Sequence, residues 1–107
     1  MKWYRKLYIG ETAKKNKYHI ITGMKRNHPP ANSYYITLAL NGTDLLDIYA
    51  GKDMCWKYFR KKEIWVIGIA NGYNEAVELA CQILTELYIE TGSFHIKRFI
   101  LEGNKQK

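Results

Sequence analysis

The sequence predicts an α+β fold: a mainly antiparallel sheet of five to six strands, one long helix packed on one face, and a short basic helix before the central strand. Three observations carry this. Residues 64–70 (Ile-Trp-Val-Ile-Gly-Ile-Ala) are apolar on both alternating faces, as in a strand covered on both sides. Asn71-Gly72 follows, then an amphipathic pattern of helical period over 73–91. The rest of the chain breaks into short alternating runs separated by Gly, Asn and Pro, the pattern of strands and turns.

In the central run Ile64, Val66 and Ala70 point one way, and Trp65, Ile67 and Ile69 the other. Its β-branched and aromatic content favours strand over helix. Gly68 marks a close approach or a bend. Asn71 and Gly72 both tolerate positive φ. Asn74 is the expected N-cap, with Glu75 and Glu78 in the first turn, where acids suit the helix dipole. At about 100° per residue, Ala76, Val77, Leu79, Ala80, Ile83, Leu84, Leu87 and Tyr88 form one buried stripe. Glu75, Glu78, Gln82, Thr85 and Glu86 lie opposite, and Gly92 is the expected stop.

Residues 3–9 alternate Trp3, Arg5, Leu7 and Ile9 against Tyr4, Lys6 and Tyr8, which predicts a first strand. A polar basic loop runs over 10–17. Residues 18–25 read as a second strand, with Tyr18, Ile20, Thr22 and Met24 on one side. Pro29-Pro30 then enforces a loop over 26–32. A third strand spans 33–40, with Tyr34, Ile36, Leu38 and Leu40 against Tyr35 and Thr37. Asn41-Gly42 is a hairpin signal leading to a fourth strand over 45–50. Residues 51–62 read as the short basic helix, with Lys57, Arg60, Lys61 and Lys62 around a core-facing Trp56 and Phe59. A last strand is expected over 93–101, parallel to the central one after a right-handed crossover. Residues 1–102 form one domain by length, and 103–107 a frayed polar tail.

The formal net charge of +7 is unevenly spread. Residues 1–62 hold 13 Lys or Arg against 4 acids, and residues 63–107 hold 4 against 6. The molecule should therefore be negative on its long-helix side and positive elsewhere, a field that attracts polyanions or acidic partners. The longest apolar run is too short to span a membrane. The first residues lack the apolar core of a secretory signal. Two cysteines, Cys55 and Cys81, make no disulfide framework; they read as reduced, buried, small apolar residues of a cytoplasmic protein.

Catalytic and metal motifs are absent from the sequence, so neither an enzyme nor a cofactor is expected. His19, His28 and His95 have no close-spaced ligand partner, and there is no Gly-x-Ser-x-Gly elbow. Residues 68–72 lead into a helix N-terminus that could cradle one anion, but lack the Lys-Ser/Thr of a phosphate loop. The candidate site is instead the sheet face away from the long helix. Tyr4, Lys6, Tyr8, His19, Lys25, Tyr35, Tyr49, His95, Lys97 and Phe99 would share it, with Lys14, Lys15 and Lys17 on the adjoining loop. Aromatic rings for stacking and cations for phosphates are what single-stranded nucleic acid requires. The same face, if covered, would pack under residues 51–62 or form a protein–protein or homodimer interface. The Lys/Arg-Gly-Phe/Tyr-Gly/Ala-Phe pattern of RNA-recognition domains is not in the chain.

Residues 66–76 (Val-Ile-Gly-Ile-Ala-Asn-Gly-Tyr-Asn-Glu-Ala), together with Tyr8-Ile9-Gly10-Glu11, resemble a group of small uncharacterised proteins of anaerobic Gram-positive bacteria. The resemblance covers most of the chain. It implies a bacterial accessory protein of the kind mobile elements carry, and brings no activity with it.

Overall fold

A computed structural model describes residues 1–39, 45–54, 64–93 and 95–105. In chain order these form β1 (Lys2–Ile9), a 3₁₀ turn (Ala13–Lys15), α1 (Lys17–Lys25), β2 (Ser33–Leu38), β3 (Leu46–Ala50), a one-turn helix α2 (Gly51–Met54), β4 (Trp65–Asn71), α3 (Tyr73–Thr91) and α4 (Ile96–Lys105). The fold is α+β, with the long helix packed on the sheet. The sheet has four strands among the described residues, in the order β1-β4-β2-β3. It is mixed: β1 runs parallel to β4, while β2 is antiparallel to both β4 and β3.

Two expected strands are helices. Over 18–25, period 2 places Tyr18, Ile20, Thr22 and Met24 on one face; the structure buries Ile20 and Met24 and leaves Tyr18 and Thr22 exposed. That is the i, i+4 stripe of a helix, and the Thr22 hydroxyl donates back to the Tyr18 carbonyl at 2.6 Å. The run Ile20-Ile21-Thr22 has strand propensity, and burial against the sheet overrides it. Over 96–105 Ile96 and Ile100 are buried, with Phe99 half-buried beside them. Arg98 faces solvent and pairs with Glu102 one turn on. The parallel partner of the central strand is thus β1, and not a strand after α3. Helix α4 also carries the chain into the residues read as a tail. The hairpin signal at 41–44, and residues 55–62 of the expected basic helix, lie outside the described residues.

The sheet is covered on both faces. On one, Tyr4, Ile36, Leu38 and Ile67 pack against Leu79, Ala80, Ile83 and Leu87 of α3 and Ile96 and Ile100 of α4. On the other, Tyr35, Val66 and Ile69 pack against Ala13, Ile20, Met24 and Met54. Gly68 explains how one strand serves both. β4 pairs Val66 with Thr37 but Gly68 with Ile36, so one residue is inserted and the alternation shifts there. A Cβ on Gly68 would lie 3.2 Å from Leu79 Cδ2 and 3.3 Å from Ile36 Cδ1. The strand bends at Gly68, and α3 presses against it at that point.

Of the expected stripe, helix α3 buries Ala76, Leu79, Ala80, Ile83 and Leu87, leaves Val77 and Leu84 half-buried, and exposes Tyr88. Gly92 ends it in the left-handed conformation, φ 70°. The N-cap is Gly72 rather than Asn74, at φ 84° and ψ 153°, a region that is almost glycine-only. Gly72→Ala should therefore cost about 1–2 kcal/mol through backbone strain alone. Urea denaturation would show it as a lower midpoint with unchanged slope.

Candidate nucleic-acid interface

The expected aromatic face does not exist as one surface. Tyr4 and Tyr8 lie on the α3 side, stacked on each other with ring centroids 6.3 Å apart. Tyr35 lies on the opposite side and is fully buried; its hydroxyl donates to the Ile20 carbonyl at 2.9 Å. Tyr49 sits beside Tyr35, hydrogen-bonded to Asp47 at 3.1 Å. Phe99 and Lys97 belong to α4, and His19 to α1. Lys6 stays with Tyr4 and Tyr8, among acidic side chains. Burial raises the pKa of both tyrosines, with the Glu86 and Glu90 carboxylates adding to it. That neighbourhood repels phosphate.

What the structure does bring together is four of the six expected lysines, Lys14, Lys15, Lys17 and Lys25, while Lys6 and Lys97 lie on other elements. Residues 10–32 contain five Lys or Arg and one acid, and they fold as the layer over the Tyr35 face. Helix α1 turns Ile20 and Met24 inward, so the opposite side carries Tyr18, His19, Thr22 and Lys25, with Arg26 just beyond. Lys14 and Lys15 precede it on the 3₁₀ turn, both exposed. From Tyr18 to Arg26 the stripe runs about 12 Å at the helical rise. Tyr18 is 72% exposed, and Lys17 Nζ sits 5.0 Å from its ring centroid. Lys25 Nζ lies 5.7 Å from the ring of Trp3, over a hollow of about 350 Å³ lined also by Met1, Met24, Asn27 and Met54. Lys14 is 3.3 Å from Glu11, an exposed pair that holds it weakly.

The N-terminus of α1 sharpens this. It has no acid in its first turn, and the N-cap Asn16 makes no capping side-chain bond. The Asn16 side chain instead accepts from Asn71 Nδ2 at 3.0 Å, tying α1 to the end of β4. Lys14, Lys15 and Lys17 therefore crowd the positive end of a helix dipole. The sequence alone identifies these lysines and misses Tyr18 and Arg26, because Tyr18 reads as part of a strand over 18–25 and Arg26 as part of the loop after it. Helical spacing of Ile20 and Met24 is the signal that could have found them.

The other anion candidate is filled by the chain itself. Glu75, in the first turn of α3, accepts hydrogen bonds from Asn71 N at 2.7 Å, Thr12 N at 2.9 Å and the Thr12 hydroxyl at 2.7 Å. This carboxylate lies at the C-terminal ends of the two parallel strands, where open α/β sheets usually take ligands. Cys81 is exposed, contrary to expectation, and Cys55 lies outside the described residues. No helix among the described residues is long and apolar enough to cross a membrane. Comparison with protein-family models, curated proteins and solved structures finds no match.

Proposed function

We propose that the chain is a non-enzymatic accessory protein that binds single-stranded nucleic acid through α1 and the 3₁₀ turn before it. The observation that carries this reading is the group of lysines at the positive end of α1, beside the exposed ring of Tyr18. Cations there work against the helix dipole, so the arrangement costs stability until an anion arrives. Tyr18 supplies a face on which a base can stack, while Lys15, Lys25 and Arg26 reach phosphates along the same stripe. The acidic outer face of α3 orients the approach, because a polyanion is repelled from that side. An exposed free thiol suits a reducing, cytoplasmic setting. A homodimer through an open sheet face has less support, since both faces are covered.

Fluorescence anisotropy with a mixed-sequence single-stranded oligonucleotide tests it. Affinity should fall steeply with salt. The double variant Lys15→Glu, Lys17→Glu should weaken binding and reduce the logarithmic salt slope by about 1.4, at about 0.7 for each phosphate no longer neutralised. Tyr18→Ala should cost about 10-fold in affinity with the slope unchanged. If neither change affects an oligonucleotide that does bind, the interface lies elsewhere. If nothing binds at low salt but an acidic protein does, the basic layer serves protein recognition.

A further inference from the structure

On the far side of the molecule the geometry points to a second site, one that takes an organic ammonium group. A cleft of about 410 Å³ opens between β1, the end of α3 and α4. Its lining joins the half-buried Tyr8 and Phe99, and the buried Tyr4, to Glu90, Glu102 and the exposed Lys6. Aromatic faces attract an alkylammonium through their quadrupole, and a carboxylate beside them adds its charge. The Tyr4 and Tyr8 rings are 22° from parallel, stacked along one wall. Glu86 lies close enough to the Tyr8 hydroxyl to help hold its pKa up, a third carboxylate near the rings.

The backbone contributes in the same direction. Helix α3 ends here, at Thr91, and its last turn contains no basic residue. The negative end of its dipole therefore meets Glu90, with no cation of its own turn to offset either. Two groups temper the site. Arg98 pairs with Glu102 at 3.1 Å, but that pair is exposed and weak. Lys6 is itself an ammonium on the rim, and so acts as a built-in competitor for the cleft.

Ring resonances of Tyr4, Tyr8 and Phe99, followed by NMR during titration with putrescine, test the assignment. Saturable shifts confined to these rings and to Thr91 are expected. The neutral isostere 1,4-butanediol should not reproduce them. Glu90→Gln should weaken putrescine at least threefold, and Lys6→Met should strengthen it; both side chains are exposed, so both variants should fold. A parallel titration with N-acetyl-lysine amide distinguishes a lysine side chain from a free amine as the source of the group. Shifts that never saturate, that butanediol matches, or that ignore Glu90→Gln would overturn the assignment. These residues are distinct from α1, so failure here leaves the nucleic-acid reading standing, and the reverse also holds.

Discussion

Tyr35→Ala is expected to leave the domain close to unfolding. The side chain is fully buried between β2 and α1, edge-on to Trp3 with centroids 6.3 Å apart. Truncating a buried aromatic of this kind costs about 3–5 kcal/mol, against about 5–15 kcal/mol for a whole domain. Tyr35→Phe keeps the ring and removes only the hydroxyl that donates to Ile20. It should cost about 1–2 kcal/mol, because the buried Ile20 carbonyl no longer receives that donor. Urea denaturation of both variants, beside oligonucleotide anisotropy of Tyr35→Phe, separates core from surface. Tyr35→Phe should bind as wild type does, whereas Tyr18→Ala should keep its stability and lose affinity. A binding defect in Tyr35→Phe at unchanged stability would return Tyr35 to the interface.

The contrast between Tyr35 and Tyr18 shows where the sequence is legible. The period of residues 73–91 states its own burial, because a long helix samples its 3.6 repeat several times. Residues 18–25 sample it barely twice, so Tyr18-Ile20-Thr22-Met24 fits a strand as well as a helix on pattern alone. Residues 96–101 carry a warning in Arg98, a charge on the face that a strand would have buried. The alternation of β1 is plain in the sequence, with Tyr4 and Tyr8 on one side. Which side faces α3 depends on the bulge at Gly68, and no local pattern contains that. The candidate surface is therefore recognisable in the sequence as a set of basic residues and not as a place.

Both proposed sites share a feature that local rules disfavour. Cations stand at the N-terminal end of α1, and a carboxylate without a basic neighbour in its own turn stands at the C-terminal end of α3. Each runs against its helix dipole, on opposite sides of the sheet. Sequences selected only for folding do the reverse, as the first turn of α3 does with Glu75. Departures of this kind concentrate where a ligand supplies the missing charge. The separation also keeps the two fields from cancelling, since the sheet and its two apolar layers lie between them.

Glu75 gives the other large effect, and its test is a double-mutant cycle with Gly10. Its carboxylate joins the loop after β1 to the turn after β4 through hydrogen bonds from Thr12 and Asn71. Glu75→Ala should cost about 2–3 kcal/mol at neutral pH, taking charged hydrogen bonds at about 1.5–3 kcal/mol each and discounting for partial solvation. A Cβ on Gly10 would lie 2.5 Å from Glu75 Oε2 and within 2.8 Å of its Cγ. Gly10→Ala must therefore push the carboxylate off its donors and should destabilise by a similar amount. In the Glu75→Ala background those atoms are gone, and Gly10→Ala should become nearly neutral. Additive costs would mean that Gly10 serves some other purpose. The pH dependence gives an independent check. Burial raises the Glu75 pKa, but bonds from Asn71, Thr12 and Ala13 outweigh it and hold the group below its ordinary 4.5. On acidification the unfolded chain takes up the proton first, so the contribution is complete above about 4.5 and is lost as pH falls through the folded value. The stability gap between wild type and Glu75→Ala should accordingly be constant near neutrality and narrow as the pH falls below about 4.5. A gap that stays constant with acid would show that the bracket acts through packing and not through charge.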